Sequence, residues 1–166
     1  MHVSFDQLPD TARLWVYQAN RAFSPAEQQT LTVMLTQFCE QWAAHSQPLQ
    51  ASFRLVHDQF IVLAVDERYH AASGCSIDAS VQVIRQLEQQ LGISLLDRSQ
   101  VAYLTDEGVQ LVSLANAKAL VTDGVIQPET PVFNNAVASL GDWRTSWEIP
   151  ASQSWMKRFF ASRSVV

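Results

Sequence analysis

The run FIVLAV, Phe60 to Val65, constrains this chain more than any other stretch, because no position in it is polar. A strand with one solvated face alternates apolar and polar side chains. An unbroken apolar run rich in β-branched residues instead predicts a central strand covered on both faces. His57, Asp58 and Gln59 separate it from a second apolar run, ASFRLV, and the two read as a hairpin.

The elements around that hairpin follow from periodicity and capping. RLWVYQ, Arg13 to Gln18, sets Leu14, Val16 and Gln18 against Trp15 and Tyr17 and predicts a strand. FSPAE supplies Ser24 as N-cap, Pro25 at the first helical position and Glu27 three residues past the cap. Leu31, Met34, Leu35, Phe38, Cys39 and Trp42 then recur at helical spacing, and this helix is expected to stop near His45, ahead of Pro48. A second helix carries Ile77, Val81, Ile84, Leu87 and Leu91 and closes at Gly92. VAYLT and VQLVSL flank Asp106, Glu107 and Gly108 as a further hairpin.

Strand, helix, strand, strand, helix, strand is the order of a ferredoxin-like βαββαβ plait, an α+β fold of two layers. Right-handed crossovers put both helices on one sheet face, and the extra strand extends an edge. A single domain is expected over residues 1–166, with its core in 12–114 and an aromatic, mainly helical extension in 115–166. In the extension, ALVTDGVIQPETPVFNN reads as a surface loop with short ordered pieces. Trp143 with Trp147, and Trp155 with Phe159, are pairs at helical spacing on either side of Pro150. They are expected to cap an open sheet face or edge, partner docking being the alternative. WMKRFFASR sets Lys157, Arg158 and Arg163 among aromatic residues, a small basic patch on an acidic chain.

Composition removes several classes of function. A net charge of −5, from 16 acidic and 11 basic residues, repels a phosphate backbone, so nucleic acid is not expected as a partner. No run approaches the roughly 18 apolar residues of a membrane span. The amino-terminal stretch lacks the pattern of a secretory leader, which predicts a cytoplasmic protein. Cys39 and Cys75 form no CxxC pair and no zinc-finger spacing, so neither a disulfide, a metal site nor a cofactor is expected.

The densest cluster of chemistry-bearing residues is HAASGCSIDAS, His70 to Ser80. In a plait the first helix ends, and the second begins, at the same sheet edge, which delivers His45 and the Ser73–Asp78 segment to one rim. The Asp106 turn is expected there too. Cys75 near a helix start suits a thiolate nucleophile, with His45 as base and Asp78 or Asp106 as orienting group. The same segment, Ser73, Gly74, Cys75, Ser76 and Asp78, also suits an anion-binding loop. It equally suits an ordinary helix cap in which Ser73 or Ser76 takes the first turn's N–H groups. Asn134 and Asn135, after Phe133, are candidate ligand contacts or loop hydrogen bonds. Arg98 falls at the opposite edge and is set apart from this site.

RLWVYQANRAFSPAE, FIVLAVDE, ASGCSID, the VFNN loop and the closing W-x-x-x-W-E-I-P-A-S-x-S-W-x-x-R-F-F resemble a family of uncharacterised bacterial proteins of about this length, often labelled "ABC transporter ATPase". A Walker A loop requires GxxxxGK[ST], and the chain's lysines, Lys118 and Lys157, follow Ala117 and Met156. The resemblance therefore implies a family without implying ATP hydrolysis, and it transfers no catalytic residue. The function expected from the sequence is a non-enzymatic binding domain for a small anionic molecule or a protein segment at the His45 and Ser73–Asp78 edge. A thiol-dependent enzyme using Cys75 is one alternative. An assembly protein that forms a homodimer through an edge strand or the aromatic tail is the other.

Overall fold

The computed structural model describes residues 1–161. Its elements run β1 (Arg13–Gln18), α1 (Pro25–Gln41), β2 (Ala43–Ala44), β3 (Gln47–Pro48), β4 (Gln50–Val56), β5 (Phe60–Asp66) and α2 (Gly74–Leu91). They continue through β6 (Gln100–Thr105), β7 (Gly108–Ser113), α3 (Ala117–Thr122), β8 (Pro131–Phe133), α4 (Leu140–Ser146), β9 (Glu148–Pro150) and α5 (Lys157–Ala161). Arg163 of the basic tail lies outside the described residues.

The two-faced burial expected of FIVLAV organises the α+β fold. β5 lies between β1 and β4, antiparallel to both, with Arg13 opposite Val65, Gln18 opposite Phe60 and Gln50 opposite Asp66. Every residue of β5 is buried. Ile61, Leu63 and Val65 point to a core with Leu31, Leu35 and Cys39 of α1 and Ile84 and Leu87 of α2. Phe60, Val62 and Ala64 point the other way, to Leu14, Ala102, Phe133, Leu140 and Trp147.

The strands of this sheet run in the order β1-β5-β4, with both helices on one face. The strand expected as the fourth of the same sheet, β6, lies elsewhere. β6 pairs with β7 and β8 in a second sheet of order β7-β6-β8-β9, so β7 is the edge of that sheet and not an extension of the first. The side chains explain the departure. Had β6 paired with β1, Leu14, Phe60, Val62 and Ala64 would face water. Stacked across them, the second sheet buries that face. β6 suits an inner position because it is apolar on both sides: Ala102 and Leu104 face the first sheet, while Val101 and Tyr103 face a third core with Val121, Ile126 and Met156.

Local signals hold at the helix starts. Ser24 accepts the Glu27 N–H at 3.2 Å and Glu27 accepts the Ser24 N–H at 2.9 Å, with Arg21 paired to the Glu27 carboxylate at 2.7 Å. One expectation is corrected. α1 ends at Gln41, short of His45, which forms, with Ser46, the turn between β2 and β3, at φ of 49° and 64°. Both residues take the left-handed conformation that a two-residue hairpin turn demands. In the segment read as a loop with short ordered pieces, the pieces include the three-residue β8, and Pro150 lies within β9, opposite Pro131. β8 pairs with β6 and β9 with β8, and nothing local in their sequence announces either strand.

Candidate functional site

The first sheet has two distinct ends. α1 finishes, and α2 begins, where β5 ends, and the buried indole N–H of Trp42 donates to the Ser76 carbonyl at 2.8 Å, joining those two helix termini. This is the end of Ser73–Asp78 and of the His45 turn. The other end, at Gln18 and Phe60, receives the chain as it leaves α2: the Asn20 N–H donates to the Ser94 carbonyl at 3.1 Å, and the Ser94 N–H donates to Asn20 Oδ1 at 2.8 Å. α2 has 18 residues. At its rise per residue the two ends are therefore about 27 Å apart.

At the Ser73 end, the hydroxyls are engaged in the helix cap. Ser73 accepts the Ser76 N–H at 3.2 Å, Ser76 Oγ accepts the Ser73 N–H at 2.7 Å, and the Ser76 hydroxyl donates to the Ser73 carbonyl at 2.8 Å. Gly74 faces open space, and Cys75 and Asp78 are exposed. Among the described residues no hydrogen bond or ion pair joins Cys75, His45 and Asp78. The hollow at this end is lined by Met1, Pro48, Gln50, Asp66, Tyr69 and His70, none of them in the Ser73–Asp78 segment. Asp66 is buried there beneath Arg68, which grips it through Nε and Nη2, and the guanidinium holds its carboxyl below the usual carboxylate range.

At the Gln18 end lies a cleft of about 310 Å³ between the two sheets. Asn134 and Asn135 line it, so the structure separates them from the other sequence-predicted site residues. The loop after α2 forms the opposite wall. Gly92 turns that loop at φ 63°, and the Glu88 carboxylate accepts the N–H groups of Leu95 and Leu96 at 2.8 and 3.2 Å. Asp97 accepts the Ser99 N–H at 2.8 Å and hydroxyl at 2.7 Å, which lowers its carboxyl pKa. Arg98 sits between them and, among the described residues, makes no hydrogen bond or ion pair. Trp155, 43% exposed, lines the cleft as well, and Arg158 lies 5.5 Å from its ring centroid.

A relay of side chains crosses the floor. The buried Trp147 Nε1 donates to Asn135 Oδ1 at 2.9 Å, Asn135 Nδ2 donates to Gln18 Oε1 at 2.9 Å, and Gln18 Nε2 donates to the Gln100 carbonyl at 3.2 Å. Trp147 is in turn packed against Phe60 and Phe133. Beside them, His57 Nε2 meets Glu148 Oε1 at 2.6 Å and ties the β4–β5 turn to β9. Tyr17, also lining the cleft, has its phenol pKa pushed up by burial, with the Ser80 hydroxyl and the Arg98 charge pulling the other way.

Gln18, Arg98 and Trp155 thus join Asn134 and Asn135, although the sequence reading did not place them in a site. Gln18 carried a signal. It is a glutamine at the third position of the Leu14, Val16 stripe, and it is only 9% exposed. A polar side chain on a core-facing stripe must find hydrogen-bond partners there.

Among the described residues, no helix is long and apolar enough to cross a membrane, and no three His, Cys, Asp or Glu side chains are grouped to hold a metal ion. Compared with protein-family models, curated proteins and solved structures, the chain matches none.

Proposed function

We propose that this protein is a binding domain that takes a small molecule into the cleft between its two sheets. The observation that carries the reading is convergence. Segments distant in sequence, the end of β1, the loop after α2, the start of β6, the Phe133–Ala136 loop and Trp155, line one concavity with a fixed polar floor. Ligand sites commonly combine an apolar wall with a few held polar groups in this way. The Ser73–Asp78 segment shares neither property, because its hydroxyls complete a cap and its glycine faces open space. The helix-covered half, β1-β5-β4 with α1 and α2, we read as a ferredoxin-like plait in which β6 has left the fourth-strand position.

The test is ligand-observed NMR of a library of small acids, amides and amines against the wild type and an Ala136→Trp variant. Ala136 is exposed at the cleft, so the larger side chain obstructs it without entering a core. Binders that lose their signal with the variant support the reading. Binding that survives the plug, or a library without binders, overturns it.

A further inference from the structure

The orientation of each side-chain amide in the cleft is dictated by a partner whose chemistry is unambiguous. An indole N–H can only donate, so Asn135 must turn its oxygen to Trp147 and its nitrogen to Gln18. A backbone carbonyl can only accept, so Gln18 must turn its nitrogen to Gln100 and its oxygen to Asn135. Asn134 Oδ1 accepts the Ala136 N–H at 3.2 Å, which fixes the third amide. No amide can flip without setting two donors or two acceptors face to face.

What remains is a surplus of donors. Each amide oxygen already accepts a hydrogen bond. Asn134 keeps both its N–H groups, and Asn135 and Gln18 keep one apiece. The carboxylate on this rim, Asp97, is occupied by Ser99 through one oxygen, whereas the Arg98 guanidinium beside it has no such partner among the described residues. A second cation, Arg158, lies against Trp155. Trp155 and Phe133 add aromatic surface for a planar group.

Building on the cleft reading above, we infer that the ligand is a small aromatic carboxylate, its ring beside Trp155 and its carboxylate on the locked amide N–H groups and Arg98. Charge-assisted bonds from N–H donors to a carboxylate are stronger than those to a neutral carbonyl, and the Arg98 guanidinium repels a cation.

Three probes of one shape separate the charge classes: benzoate, benzamide and benzamidine. Their affinities are measured by NMR titration against the wild type, Arg98→Gln, Asn134→Asp and Ala136→Trp. Benzoate is expected to bind tightest and benzamidine weakest. Arg98→Gln, an exposed change that leaves the fold intact, is expected to weaken benzoate about tenfold and to leave benzamide nearly unchanged. Asn134→Asp keeps the acceptor for the Ala136 N–H, leaves the Trp147 to Gln100 relay untouched and adds a negative charge, and is expected to reverse the order of benzoate and benzamidine.

Tightest binding by benzamidine, or benzoate binding indifferent to Arg98→Gln, overturns the carboxylate assignment alone. So does silence from all three probes while other library members bind in a plug-sensitive way. If Ala136→Trp leaves every binding event intact, the cleft reading itself fails.

Discussion

Trp143 and Trp147 lie stacked, with ring centroids 5.4 Å apart, yet their indole N–H groups have opposite fates. Trp147 donates to Asn135, while the buried Trp143 Nε1 has no hydrogen-bond partner among the described residues. Replacing Trp147 by Phe strands the Asn135 carbonyl; replacing Trp143 by Phe removes a donor that was already unpaired. Chemical denaturation should therefore show Trp147→Phe to be the more costly by about 1 kcal/mol. Equal losses would mean that the relay adds nothing to stability. The two cysteines differ as sharply. Cys39 is buried in the α1 core and its thiol is pushed up to about 12, while Cys75 is exposed. A thiol reagent counted by mass spectrometry should label Cys75 alone in the folded protein and both residues in denaturant; rapid native labelling of Cys39 would contradict the packing described.

At the scale of elements, what was legible depended on how local the cause was. The Ser24–Glu27 box could be read because every atom it needs lies within four residues, and Gly92 because a helix end requires a left-handed residue there. The box has a pH signature. Glu27 is held down to about 2, chiefly by Arg21 and then by the Ser24 N–H, from an ordinary value of 4.5. A carboxylate with a depressed folded pKa contributes stability that is fully present above its unfolded value and is lost as pH falls toward the folded one. The midpoint of denaturant unfolding should thus drop between about pH 4.5 and 2, and Glu27→Gln should flatten that part of the profile; an unchanged slope would show the box to be idle. By contrast, β8 and β9 could not be read, since these three-residue strands bounded by proline depend on distant partners, β8 on β6 and β9 on β8. Nor could the His45 turn, where the chain adopts positive φ without glycine.

Across the whole molecule, one strand buried on both faces sets the architecture, and the site is a consequence of how its second face is covered. FIVLAV revealed that requirement but not its solution. That β6 would meet the requirement by leaving the first sheet depends on contacts between segments more than forty residues apart in the chain, such as Ala102 with Leu14 and Phe60. The cleft lies between the two sheets at the Gln18 end, where the relay from Trp147 to Gln100 joins them. Chain direction led to the expectation of a shared end for His45 and Ser73–Asp78; what the structure supplies there is the Trp42 bond to Ser76, which joins the end of α1 to the start of α2. A concavity lined by those residues did not follow from it.

The most direct test is therefore positional. Benzoate titrated into isotope-labelled protein, followed by backbone and side-chain amide shifts, should move Gln18, Arg98, Asn134, Asn135 and the Trp155 indole together along one saturation curve. Shifts gathered instead on Ser73–Asp78 and His45 would put the site at the other end of the sheet and contradict the account.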